Sequence, residues 1–227
     1  MTETIDRRTL LTAGVGGLIV FSLGGCSTDT SPDGKKKPHY VMVFDQNKCV
    51  GCGECKHACN ETNHLPPGRS RVILQRMPGP ERHYIRVSCQ QCEDSPCVKV
   101  CPTGATYKTE DGQILVDKEK CIGCKMCMAA CPYGARSYNP ETNVVEKCTL
   151  CQHLQAVGEQ PACVKVCCAK ARFFGDIDDP ESDVSKVIAA AGPENVHSMP
   201  DSGNHPTVRY ILHKKTGDWQ ANPPKML

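Results

Sequence analysis

The sequence predicts an α+β fold with few regular elements, in which short β-hairpins and small helices are strung between cysteine-rich loops. Three observations predict it. Four cysteine motifs recur along the chain. The stretches between them are pairs of short β-prone runs set either side of turn residues. The apolar supply is too thin for a large sheet or bundle core: 39% hydrophobic with Cys counted, and one Trp, four Phe and six Tyr in 227 residues. Eighteen residues are Cys, so many positions that a core would use are candidate ligands instead. Such a chain is expected to fold around its inorganic content, as small metal domains do when site assembly and folding are coupled.

The most informative motif is Cys121, Cys124, Cys127 and Cys131 followed by Pro132, a C-x2-C-x2-C-x3-C-P run. Thiolates at these intervals hold [4Fe-4S] clusters, and the fourth Cys serves the neighbouring cluster. Cys49, Cys52, Cys55 and Cys59 make a second run of the same type, with Gly51 and Gly53 letting the loop wrap closely. Two variants complete the set. Cys89, Cys92, Cys97 and Cys101 have four residues between the middle pair, and Cys148, Cys151, Cys163 and Cys167 have eleven. Zinc explains C-x2-C pairs but does not call for a third Cys two residues on and a fourth three beyond that. Disulfide frameworks have no reason to repeat so crowded a spacing, whose neighbours face one another poorly.

The four motifs form an internal repeat in the order A, B, A, B. Asp45-Gln46-Asn47-Lys48-Cys49-Val50-Gly51-Cys52 mirrors Asp117-Lys118-Glu119-Lys120-Cys121-Ile122-Gly123-Cys124, and Pro96-Cys97-Val98-Lys99-Val100-Cys101 mirrors Ala162-Cys163-Val164-Lys165-Val166-Cys167. A duplicated two-cluster ancestor accounts for this order. The 19 residues between Cys101 and Cys121 allow the second and third motifs to form one continuous module, with the first and fourth meeting around it. Sequential pairing, first with second and third with fourth, is also compatible with the spacing.

Taken in order, residues 1–26 read as a targeting segment outside the fold. Arg7-Arg8 precedes a Gly-rich apolar run of 14 residues, 10–23, too short for a membrane span and shaped like twin-arginine signals. Leu23-Gly24-Gly25-Cys26 looks like a lipoprotein processing box, making Cys26 the expected lipidation site. Export of an already folded chain suits its cysteine content, because loose thiols entering an oxidising compartment would mispair. Residues 27–38 read as a linker and residues 39–180 as the cluster domain. Within the domain, residues 39–44 predict a strand. Hairpins are expected from 71–77 with 83–88 around Pro78-Gly79-Pro80, from 105–108 with 114–117, and from 136–138 with 144–146. A strand is expected at 173–176, a helix at 183–191 ending at Gly192-Pro193, and a strand at 207–213 within a C-terminal extension, 181–227.

Other chemistries find no footing. Basic and acidic residues number 27 and 25 and are dispersed, which leaves no footprint for nucleic acid. The eight His form no H-x-x-x-H pattern, no C-x-x-C-H marks covalent haem, and no Gly-rich nucleotide fingerprint occurs. Lys48, Lys99, Lys120, Lys147 and Lys165 lie beside the motifs, where they could offset the anionic clusters or dock a partner; as single exposed charges such residues more often do neither.

At these motifs, and in flanking phrases such as Ser88-Cys89-Gln90-Gln91-Cys92-Glu93-Asp94 and Ala130-Cys131-Pro132-Tyr133, the chain resembles the periplasmic four-cluster iron-sulphur subunits of respiratory oxidoreductases. That family includes the iron-sulphur proteins of formate-dependent nitrite reduction, of polysulfide and tetrathionate reductases, and of dimethyl sulfoxide reductase and formate dehydrogenase. The resemblance covers residues 39–180 and implies two interleaved ferredoxin-like dicluster modules, one from 49–59 with 148–167 and the other from 89–131. Carried over residue by residue, it implies four [4Fe-4S] clusters. Cys49, Cys52, Cys55 and Cys167 hold one, and Cys148, Cys151, Cys163 and Cys59 hold its partner. Cys89, Cys92, Cys97 and Cys131 hold a third, and Cys121, Cys124, Cys127 and Cys101 the fourth. The departure is Cys168, which stands where Pro follows Cys101 and Cys131. By its three-residue gap from Cys163, Cys167 is the expected ligand.

All sixteen motif cysteines are thereby committed, which leaves no iron open to substrate. The expected role is electron transfer without catalysis. Two partners are implied by the resemblance: a membrane-embedded quinol-oxidising subunit of the polysulfide reductase type, and a catalytic reductase subunit carrying molybdopterin or several haems. The expected location is the periplasmic face of the membrane, held by the lipid anchor or by the complex. A free periplasmic polyferredoxin is the alternative.

Overall fold

A computed structural model describes residues 37–77 and 82–212. The expected targeting segment with Cys26, the expected linker up to residue 36, the expected turn at 78–80, position 213 and the residues that follow it lie outside the described residues.

The fold is α+β with few regular elements. β1 (Tyr40–Asp45) is followed by α1 (Glu54–Thr62), then by a hairpin of β2 (Ile73–Arg76) and β3 (Tyr84–Val87). α2 (Pro96–Lys99) leads to the hairpin of β4 (Thr106–Lys108) and β5 (Ile114–Val116), and α3 (Met126–Ala129) leads to that of β6 (Ser137–Asn139) and β7 (Val144–Glu146). α4 (Gln152–Gln155), α5 (Ala162–Lys165), β8 (Arg172–Asp176), α6 (Asp183–Ala191), a 3-10 turn (Pro193–Asn195), β9 (Val196–His197) and β10 (Arg209–Ile211) complete the described residues. Each expected hairpin forms an antiparallel pair, with Ile73 opposite Val87, Thr106 opposite Val116 and Ser137 opposite Glu146. Among the described residues no helix is long and apolar enough to cross a membrane.

What local patterning does not show is that the isolated strands join. β1 pairs antiparallel with β8 and parallel with β10, and β10 pairs with β9, giving a four-stranded sheet in the order β8-β1-β10-β9. β1 is central and covered on both faces, which explains its run of apolar residues without polar alternation. Met42 and Phe44 face the main core with Tyr133, Met199, Tyr210 and several cysteines. Val43 faces the other way, against Val184 of α6 and Ile211. A slip of one residue would exchange the two faces, so register here is strongly specified. α6 is capped by Ser182, whose hydroxyl oxygen accepts from the Ser185 N–H at 3.2 Å, and it stops at Gly192, where φ is +80°.

The short helices meet crosswise. α1, which carries Cys55 and Cys59, packs on α5, which carries Cys163; α2, with Cys97, packs on α3, with Cys127.

Candidate iron-sulphur sites

The loops that carry the thiols depend on left-handed backbone. Gly51 and Gly123, which occupy the same place in the two type-A motifs, have φ of +73° and +67°. A Cβ on Gly51 would lie 2.3 Å from the Tyr84 ring, and one on Gly123 would lie 2.5 Å from the Asn143 carbonyl oxygen. Glycine is needed at both for conformation and for room. Two residues on, Gly53 and Lys125 are also left-handed and turn the backbone into α1 and α3, which brings Cys55 and Cys127 inward.

The cysteines gather in sets drawn from different motifs. Cys49, Cys52, Cys55 and Cys167 line a cavity together with Leu74 and Arg172. Cys59, Cys148, Cys151 and Cys163 line a second, with Arg71 and Arg86. Cys92 is close enough to Cys89, Cys97 and Cys131 for their charges to act on one another. Cys121 and Cys124 lie on the loop leading to α3, which carries Cys127, and Cys101 lies just beyond α2, which packs on that helix. Cys168 is exposed and does not line the cavity that Cys167 does.

All seventeen described cysteines are unpaired, so no disulfide competes for them. Zinc would need its sulfurs about 2.3 Å from one point. Among the described residues no three Cys, His, Asp or Glu converge in that way to hold a single metal ion. The complete sets instead surround cavities, the arrangement that suits a polynuclear group with one iron at each corner.

Buried cations surround the thiols. Arg172 Nη2 donates to Cys55 Sγ at 2.7 Å and Arg86 Nη2 to Cys148 Sγ at 3.7 Å. Arg136 lies beside Cys97, Cys89 and Cys127. Arg86, Arg172 and Arg136 are all buried. Yet Arg86 Nε and Nη1, Arg71 Nε, Arg136 Nη2 and Arg172 Nη1 have no hydrogen-bond partner among the described residues. Unsatisfied N–H groups on buried cations are costly. An anionic cluster with sulfide acceptors in the two cavities would satisfy those of Arg71, Arg86 and Arg172, so the residues present fit [4Fe-4S] groups. Neutral donors add to the shell: Asn204 Nδ2 reaches Cys92 Sγ at 3.1 Å, and backbone N–H groups of Ala171 and Thr106 reach Cys167 and Cys101 at 3.2 and 3.4 Å.

These surroundings set the thiol acidities. Burial pushes Cys59 and Cys92 up to about 12, and neighbouring thiols add to the effect. At Cys148 burial also acts upward, but Arg86, the Leu150 N–H, Lys147 and Arg71 together outweigh it and the thiol falls below its ordinary value. Cys101 is likewise lowered, because donors from Thr106, Thr103 and Ala105 overcome its slight burial.

Lys147 corrects the sequence reading. It is fully buried, and its ammonium donates to the carbonyls of Ile114 and Cys148. Lys48, Lys99, Lys120 and Lys165 are the exposed charges expected, each beside a carboxylate. The arginines were not singled out from the sequence at all, although one signal was available. Ala135-Arg136 and Ala171-Arg172 stand at the same offset, four and five residues beyond the last Cys of the third and fourth motifs. Arg86 and Asn204 have no such signal, since only tertiary packing brings them to the thiols.

Residues 41–102 and residues 81–177 each match a 4Fe-4S dicluster domain family. This protein belongs to the 4Fe-4S dicluster proteins, in the family of iron-sulphur electron-transfer subunits of reductases. It is 47% identical over 151 residues to the thiosulfate reductase electron transfer subunit PhsB of Salmonella typhi, covering 63% of its own length and 78% of that relative. It is 40% identical over 189 residues to the B subunit of the polysulfide reductase of Wolinella succinogenes, covering 78% and 96%. It is also 40% identical over 194 residues to protein NrfC of Escherichia coli K12, covering 82% and 86%.

Proposed function

We propose that this protein is the electron-transfer subunit of a respiratory reductase and holds four [4Fe-4S] clusters. The observation that carries the reading is the lining of two cavities by complete sets of four thiols, each drawn from the first and fourth motifs. Cys49, Cys52, Cys55 and Cys167 hold one cluster, and Cys59, Cys148, Cys151 and Cys163 the next. Cys89, Cys92, Cys97 and Cys131 hold the third, and Cys101, Cys121, Cys124 and Cys127 the fourth. When bound, such clusters take up and release single electrons with little rearrangement. The protein's own residues supply thiolate ligands, exclude water from the buried sets and place fixed positive charge beside them.

The partners are a membrane subunit that oxidises quinol and a catalytic reductase subunit on the periplasmic side. The naming of relatives as subunits of thiosulfate and polysulfide reductases supports this. Arg7-Arg8 and the Leu23-Gly24-Gly25-Cys26 box support folded export and a lipid anchor at Cys26. Gentle anaerobic extraction tests the whole reading. The protein is expected to co-purify with larger subunits, to carry about sixteen iron by cluster stoichiometry, and to begin at a lipidated Cys26 by mass spectrometry. A protein that runs alone at its own mass would instead be a free polyferredoxin.

A further inference from the structure

Arg86 stands in β3 with no exposed surface, although it carries a permanent charge. Its guanidinium is aimed at sulfur: Nη2 donates to Cys148, and Nε and Nη1 have no partner among the described residues. It lines the cavity of Cys59, Cys148, Cys151 and Cys163, and its charge also acts on Cys55, which lines the other cavity of the same module. A buried cation that donates to a thiol is tolerable when that thiol belongs to an anionic group. Its backbone is fixed as well, because the Tyr210 hydroxyl donates to the Arg86 carbonyl at 3.2 Å and accepts from Gln90 Nε2 at 2.9 Å. Arg136 repeats the arrangement in the other module, buried beside Cys97 and Cys89 of one set and Cys127 of the other.

We infer that Arg86 is a potential-setting residue shared by two clusters: its fixed charge lines the cavity of the Cys148 set, stands opposite Leu74 in the wall of the Cys49 set, and makes both easier to reduce. The physical reason is that reduction adds negative charge to each cluster, and a nearby cation in a medium of low dielectric favours the more negative state. One residue thus keeps two neighbouring clusters in step. The inference rests on the ligand sets proposed above.

The test is a redox titration of the intact protein, followed by electron paramagnetic resonance, with iron counted in the same samples. Unmodified protein must first show four titrating cubane signals; if it does not, the four-cluster reading fails, and Arg86 is not what has been tested. In Arg86→Gln at full iron content, two of the four midpoints are expected to fall. Each should fall by about tenfold in its reduction equilibrium, which is about 59 mV for a one-electron couple. Arg86→Lys, which keeps the charge, should return both toward their original values. Four unchanged midpoints in Arg86→Gln, or a shift of one cluster alone or of all four alike, would overturn the inference. Should Arg86→Gln lose iron, Arg86→Lys decides: full iron with near-native midpoints supports the role of charge, and lost iron or lowered midpoints refutes it.

Discussion

Cys167 and Cys168 are neighbours in the sequence, yet the fold separates their environments. Cys167 lines a cavity with three thiols of the first motif and accepts the Ala171 N–H, whereas Cys168 is exposed and outside that cavity. A cluster needs all its sulfurs at one cavity, so the two should respond differently to the same change. Cys168→Ser is expected to leave the iron content at about sixteen, and Cys167→Ser to remove about four. Iron analysis of anaerobically prepared protein checks both, and a loss on changing Cys168 would reverse the assignment. The three-residue gap from Cys163 already favoured Cys167 in the sequence. The roles of Arg86 and Asn204 were not legible there, because nothing in the sequence near either residue points to the thiols that it meets in space.

Among the elements, hairpins and helices were legible to different degrees for a physical reason. A hairpin is specified locally by two β-prone runs and a turn, so all three appear close to the expected residues. α6 was equally readable, spanning Asp183–Ala191 between its Ser cap and Gly192. Its apolar stripe packs Val184, Val187 and Ile188 on the face of β1 that carries Val43, away from the thiol-bearing core. Ser182→Ala should therefore cost about 1 kcal/mol in thermal unfolding while leaving the iron content unchanged. Iron loss in that variant would show that the helix supports a cluster site as well as the sheet. The sheet that joins β8, β1, β10 and β9 was not readable, since its pairings link residues that are far apart in the sequence.

Across the whole molecule, thiol acidity couples metal loading to pH. In the metal-free fold, burial holds Cys59 and Cys92 protonated up to about 12, whereas the unfolded thiols lose their protons near the ordinary cysteine value. The folded protein thus binds more protons than the unfolded one between those limits. The stability that these two groups contribute is fully present below the unfolded value and is lost as pH rises toward about 12. Cluster ligation needs thiolates, so loading must displace those protons and should strengthen as pH is raised from the acidic side. Anaerobic reconstitution across pH, with iron uptake and proton release measured together, checks this. Uptake that released no protons would mean that these thiols are not ligands.

The cysteine spacings, their alternating repeat and the turns between them were enough to determine the cofactor class and the local loops, since ligand spacing and hairpin formation are both short-range properties of the polypeptide. Only the tertiary structure decided that α1 meets α5 and α2 meets α3, that β10 returns to lie beside β1, and that guanidinium groups are buried among the thiols. These features depend on contacts between segments up to more than a hundred residues apart, such as Arg172 with Cys55. Such contacts are selected by packing and by the pairing of buried charge, which no local pattern records.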